Sequence, residues 1–248
     1  MTSDAPTLSP GLEGVPIAES AVSKVDGEAG RLTYRGYSIE DLALRTTFEE
    51  IVALLYDGEL PGTARIAEIT AQLERDRALT DGQIEFARSA AKLSHPMFAL
   101  QAATAILGPD VNDFEADIDV ATDRGIALVA KVAHLVGVIA QSVADRPYDP
   151  PRAGESHANM MLRMITGEDP SAEHLRSMNA VLTLQADHSA GNASTFTARV
   201  VASTKSEPEA VISSAIGALS GPAHGGANEA SLRLFQQIKD PAKAKDEI

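Results

Sequence analysis

Two segments frame the stretch on which the reading of this chain turns. They are Asp187-His188-Ser189-Ala190-Gly191-Asn192-Ala193-Ser194-Thr195-Phe196 and Gly221-Pro222-Ala223-His224-Gly225-Gly226-Ala227-Asn228. Between them the residue pattern gives about two helical turns, a loop and a helix of small residues, so one helix-loop-helix unit carries a histidine at each end. In the second segment Gly221 suits a left-handed helix C-terminus, Pro222 stops the helix, and Gly225-Gly226 permits a ligand to approach the backbone closely. His224 is thereby held just ahead of a new helix, facing unpaired backbone N–H groups and the positive end of a helix dipole, which favours a neutral imidazole. A neutral imidazole can donate one hydrogen bond to a developing enolate oxygen without carrying net charge. The same residues equally suit a structural histidine in a glycine turn.

Composition narrows the classes outside this stretch. With 248 residues, 44% apolar and 23% charged, the chain can bury a sizeable core as one large domain or two. A formal charge of −14 and the lack of any basic run argue against nucleic-acid binding and against an anionic membrane surface. Zero cysteines exclude disulfides, thiolate chemistry and a cysteine-based zinc site, and fit a reducing compartment. The acidic, Pro/Ser-containing N-terminus has no basic or apolar signal region, so a cytoplasmic location is expected.

Taken in order, residues 1–10 form a disordered lead-in. Residues 20–35 contain two strand-like runs around Asp26-Gly27 and Gly30, a small β-hairpin and the only β structure expected. Ser38, with Asp41 three residues on, predicts an N-cap for one helical stretch through Leu42, Phe48, Ile51, Val52, Leu54 and Leu55, ended by Gly58 and Pro61. Further helices are predicted at 62–78, 80–93, 97–108, 154–166 and 171–187. Residues 123–143 are apolar almost all round, but Lys131, His134 and Gln141 interrupt them and no aromatic or basic belt flanks them, so a buried core helix is expected rather than a membrane span. The helix at 206–220 has small residues on several faces, as in a helix sandwiched between others.

The remaining histidines read as structural. His95 before Pro96 has a loop or cap role, His134 is a satisfied core residue, and His157 and His174 are solvated in early helical turns. His188, beside Asp187 at a helix end, could bind a carboxylate. A zinc site from His188, His224 and Asp187 has no His-x-x-x-His or cysteine pairing behind it, so no metal is expected.

Both framing segments resemble the citrate synthase family, in Ala186-Asp187-His188, Asn192 to Val201, and Gly221 to Ala230. The resemblance continues upstream in Gly11-Leu12-Glu13-Gly14, Tyr34-Arg35-Gly36-Tyr37-Ser38-Ile39-Glu40-Asp41-Leu42, Gly58-Glu59-Leu60-Pro61 and His95-Pro96-Met97, in the family's order. It implies an all-α helical sandwich with a small N-terminal β-hairpin, residues 11–222 forming most of the large domain and 223–248 the start of the small domain. The implied reaction condenses acetyl-CoA with oxaloacetate and water to citrate and CoA, with the CoA thioester as substrate and no cofactor. His224 takes the position of the enolate-stabilising histidine and His188 that of a substrate histidine. Asn192 falls where the family lines the site, and Ser194 where it supports His224.

Homodimerisation through the helix at 206–220 is implied as well. Ser189 stands where the family usually has Glu, and Gln185 where it often has His. The family's later histidine segment, its catalytic aspartate and its substrate-binding arginines find no counterpart in these 248 residues, so the chain by itself is expected to be an inactive fragment. Two alternatives stand beside this reading. One is a 2-methylcitrate synthase using propionyl-CoA, which shares these motifs; the other is a non-catalytic short paralogue serving as an oligomerisation scaffold.

Overall fold

The computed structural model describes residues 15, 17–108, 118–189 and 191–238. The expected lead-in at 1–10, the Gly11–Gly14 segment and residues 239–248 lie outside the described residues.

Three short strands open the fold: β1 (Ser23–Asp26), β2 (Arg31–Tyr34) and β3 (Tyr37–Ser38), antiparallel in the order β1-β2-β3. The expected hairpin is present, with Asp26 opposite Arg31. The third strand was not anticipated. It pairs Tyr34 with Tyr37 across Arg35 and Gly36, whose φ values of 48° and 89° are both left-handed, as a two-residue hairpin of the primed type requires. Arg35 is held there by its guanidinium, which donates to the Leu55 carbonyl at 2.6 and 3.2 Å.

The helices are α1 (Ile39–Arg45), α2 (Phe48–Asp57), α3 (Thr63–Asp76), α4 (Asp81–Leu93), α5 (Pro96–Ala105), α6 (Ile118–Val143), α7 (His157–Thr166), α8 (Ala172–Leu184), α9 (Ala193–Ala202), α10 (Pro208–Leu219) and α11 (Gly226–Gln237). The stretch expected as one helix from Ser38 to Gly58 is two. Ser38 makes no side-chain cap, whereas Thr47 forms a full capping box with Glu50, and Thr46 and Thr47 are both extended. The stronger box, with its Glu, thus restarts the helix after a break. At the far end Gly58 takes a left-handed C-cap, as predicted.

Helix α6 is the axis. It is long and apolar enough to cross a membrane, yet it packs against α3, α4, α5, α7 and α10. Its Leu135, Val138 and Ile139 lie in the main cluster with Ala87, Ala99, Met160 and Met164, and its Ile126 in a second cluster with Val52, Ile69 and Leu73. A third cluster, Tyr34, Leu42, Ile51 and Leu54, joins the sheet to α1 and α2. Each Val, Leu, Ile or Met among them contributes about 1.5–3 kcal/mol of burial. Helix α10 lies chiefly between α5 and α9, the sandwiched position its small residues predict.

Charged groups concentrate at the start of α7. Arg163, 1% exposed, pairs with Glu155 at 2.5 and 2.9 Å and with Asp149, and donates to the Pro150 carbonyl. Burial alone would raise the Glu155 carboxyl, but its hydrogen bonds from Arg163 and Arg152 outweigh that and hold it below the usual carboxylate range. His134 behaves as expected of a core residue: its Nδ1 lies 2.8 Å from the Arg77 carbonyl, which can only accept, so Nε2 accepts from the Tyr148 hydroxyl at 2.9 Å. His95 caps α5, accepting from the Met97 amide, and His174 is exposed.

His157 corrects the sequence reading. It was expected to be solvated, but it is buried against Phe48, with its amide donating to the equally buried Glu49 carboxylate at 2.8 Å. The opening turn of α7 faces α2, a tertiary fact that periodicity does not reveal. Burial, with Arg77 nearby, pushes the imidazole down to about 4.

Two stability outcomes are expected. Arg163→Ala leaves Glu155 without its guanidinium partner, with only the Arg152 amide still donating to it, and should cost roughly 3–5 kcal/mol, read from a denaturant midpoint. Because His157 is neutral when folded and protonates near 6.5 when unfolded, its contribution is complete above that pH and is lost as pH falls towards about 4. The loss is on the order of 3 kcal/mol, and His157→Gln should flatten the melting temperature against pH in that window.

Candidate functional site

The site begins where α8 ends. Gln185 closes the helix, and the next residues form a bend: the Asp187 carboxylate accepts from the Ser189 amide at 3.1 Å, and Ser189 has a left-handed φ of 72°. The Ser189 carbonyl then accepts from the Asn192 amide at 3.3 Å. Asn192 is the N-cap of α9, its side-chain oxygen taking the Ser194 and Thr195 amides at 2.9 and 3.3 Å. Capping uses the oxygen only. Among the described hydrogen bonds the amide –NH2 group makes none.

The second half of the site is the turn from α10 into α11. One expectation for it is corrected. Gly221 is not left-handed; the helix closes at Ser220 in right-handed geometry, and Gly221 continues by donating to Ala218 at 3.3 Å. Gly225, which lines the cleft, and Gly226 are also required by the chain itself. The Gly225 amide donates to the Leu219 carbonyl at 3.0 Å, and a Cβ on Gly225 would lie 2.5 Å from that oxygen; one on Gly226 would lie 3.0 Å from the Gly221 carbonyl. The glycines allow the chain to fold back on its own backbone, which sets His224 at the mouth of α11.

The decisive contact joins the halves. Ser194 Oγ, on the first turn of α9, lies 2.8 Å from His224 Nε2. All four residues singled out from the sequence, His188, Asn192, Ser194 and His224, line one cleft of about 700 Å³, together with Asp187 and Asn228. His188 is exposed and His224 half-buried. Among the described lining residues there is no lysine or arginine, and no group of three or more metal-ligating side chains occurs among the described residues.

One supporting residue escaped the sequence reading. Tyr34, fully buried in β2, places its hydroxyl 3.0 Å from the Asp187 carbonyl and 3.2 Å from the Asp187 amide. Its only signal was its place in the Tyr34-Arg35-Gly36-Tyr37 run.

Residues 11–248 match the family model described as citrate synthase, C-terminal domain. The chain belongs to the citrate synthase family. It is 38% identical over 241 residues to a citrate synthase of Deinococcus radiodurans, covering 96% of this chain and 63% of the relative. It is 37% identical to 2-methylcitrate synthase 1 of Corynebacterium glutamicum, with 95% and 63% covered. Among solved structures, the citrate synthase of Pyrobaculum aerophilum superposes with a TM-score of 0.87 at 37% identity, covering 96% of this chain and 61% of that one. The enzyme of Thermoplasma acidophilum, solved with carboxymethyl coenzyme A and oxaloacetate, gives 0.86 at 29% identity, with 97% and 63% covered. The chain thus spans about three fifths of the length of the citrate synthases it matches, and their helical fold is the one seen here.

Ser194→Ala removes the side chain that His224 Nε2 contacts. The expected outcome is a change in the His224 tautomer balance, read from its ring 15N resonances, with a stability loss of only ~1 kcal/mol.

Proposed function

We propose that this chain supplies the enolate-stabilising histidine and part of the oxaloacetate site of a carbon–carbon bond-forming acyltransferase, which joins an acyl-CoA to oxaloacetate. The observation that carries this reading is the 2.8 Å contact between Ser194 Oγ and His224 Nε2 inside the cleft that also holds His188 and Asn192. In this reading the serine hydroxyl donates to Nε2, which leaves the ring proton on Nδ1 as a neutral donor. That donor stabilises the thioester oxygen as a proton leaves the acyl α-carbon, and the enolate carbon then attacks the oxaloacetate ketone. His188 and the Asn192 –NH2 group are donors for oxaloacetate. Hydrolysis of the resulting citryl-CoA by water releases citrate and CoA, so the sum is acetyl-CoA, oxaloacetate and water to citrate and CoA. No bound cofactor is required.

The base and the cations for the dicarboxylate belong, by the family resemblance, to segments with no counterpart among these residues. We therefore assign the activity to the protein that carries this chain, and expect the 248 residues alone to release no CoA above background, because groups that act as a unit lose nearly all their effect when one is missing. In the product of the whole gene, His224→Ala should lower kcat by about a hundredfold or more, on the scale of one lost oxyanion donor, with a smaller change in oxaloacetate affinity. Normal turnover in that variant would refute the role given to His224.

Relatives of both activities stand at similar identity, 38% for a citrate synthase and 38% for a 2-methylcitrate synthase, which supports propionyl-CoA as the second candidate substrate. Comparing kcat/KM for the two thioesters decides between them, and turnover of neither would favour the scaffold reading. Large apolar side chains stand exposed on neighbouring helices, Phe98 on α5, Val200 on α9 and Leu219 on α10, and we propose a homodimer that covers them. A monomer mass independent of concentration in sedimentation equilibrium would count against it.

A further inference from the structure

The bend that carries His188 has no regular structure of its own to hold it. Helix α8 has ended at Leu184, α9 does not begin until Ala193, and Ser189 between them is in a left-handed conformation unfavourable to a residue with a side chain. What holds the bend comes from the other end of the chain. The Tyr34 hydroxyl accepts from the Asp187 amide at 3.2 Å and donates to the Asp187 carbonyl at 3.0 Å, with the last carbonyl of α8, Leu184, at 3.3 Å. One phenol oxygen therefore satisfies both the donor and the acceptor of the residue just before His188. On the other side of His188, the Asp187 carboxylate takes the Ser189 amide. Three successive peptide groups around the histidine are tied, two of them by Tyr34.

The ring that delivers this hydroxyl is itself rigid. Tyr34 is 0% exposed in the cluster with Leu42, Ile51 and Leu54, against which Ala186 of the bend also packs. The primed turn at Arg35-Gly36 fixes its strand. A phenylalanine would fill the same space; the described hydrogen bonds of the hydroxyl all go to Asp187 in the bend and to the last carbonyl of α8. Burial raises the phenol above its ordinary value, so it stays a protonated donor at any working pH.

We propose that Tyr34 is a positioning residue for His188, aiming its imidazole into the cleft by clamping Asp187. The proposal rests on the reading of His188 as a contact for oxaloacetate. The test is Tyr34→Phe in the whole gene product. The expected result is a KM for oxaloacetate raised about tenfold, the scale of one lost buried hydrogen bond, with kcat and the acyl-CoA KM within about twofold. The ring 1H–13C cross-peak of His188 should also move, while that of the exposed His174 should not. Ile51→Val, from the same cluster, controls for lost stability: it should lower the melting temperature without raising the KM. An equal rise in KM for Ile51→Val would mean general loosening and overturn the proposal. If His188→Ala raises the KM but Tyr34→Phe moves neither the KM nor the cross-peak, positioning by Tyr34 is wrong while the reading of His188 stands. If His188→Ala leaves the KM unchanged, the contact with oxaloacetate fails instead, and the cross-peak alone decides whether Tyr34 orients the ring.

Discussion

A single constraint organises the molecule: α6, 26 residues long and apolar on nearly every side, has to be covered by protein. Leaving side chains such as Ile126, Leu135 and Val138 in water would forfeit roughly 2 kcal/mol each, in sum comparable with a domain's net stability. Helices α3, α4, α5, α7 and α10 are arranged around that axis. The site is built further out, at the end of α8, the start of α9 and the turn that leads from α10 into α11.

That outer layer explains how the cleft is made from short-range parts. Asn192 caps α9 and so fixes Ser194 on its first turn; the folded-back glycine turn fixes His224 ahead of α11. Thirty residues apart in sequence, the two side chains meet at 2.8 Å because α9 and α10 pack as a pair. The geometry suits a neutral donor. Without a cation among the described lining residues, it does not suit charge neutralisation of a dicarboxylate, so in the proposed reaction that task falls to other groups.

The buried charges at α7 follow a different logic. Arg163 needs Glu155, Asp149 and the Pro150 carbonyl because an uncompensated guanidinium in the interior would cost several kcal/mol. Arg77 is likewise spent on the carbonyls of Arg152 and Glu155. These contacts pin the proline-rich connection between α6 and α7 to the core, and they place a titratable imidazole, His157, where it is neutral when folded.

How much of this was legible beforehand depended on distance along the chain. Helix existence, the small-residue character of α10 and the buried nature of α6 are written in local signals: caps, glycine and proline breaks, and apolar periodicity act within a few residues. The four candidate residues were singled out from the motifs around His188 and His224, and the structure shows that they line one cleft. Errors arose where two local signals competed or a partner was remote. Ser38 and Thr47 both look like caps, and only the Glu50 side chain reaching back to Thr47 settles which one breaks the helix. His157 reads as a surface residue until α2 is laid against it, and nothing local shows that the chain folds back on Leu219 at Gly225. Tyr34 reads as one more apolar strand residue until the end of α8, 150 residues on, brings its peptide groups to the hydroxyl. The sequence by itself determined the elements and the chemistry available; which groups touch was decided by the tertiary structure, since hydrogen bonds and burial act across space between residues that no periodicity relates.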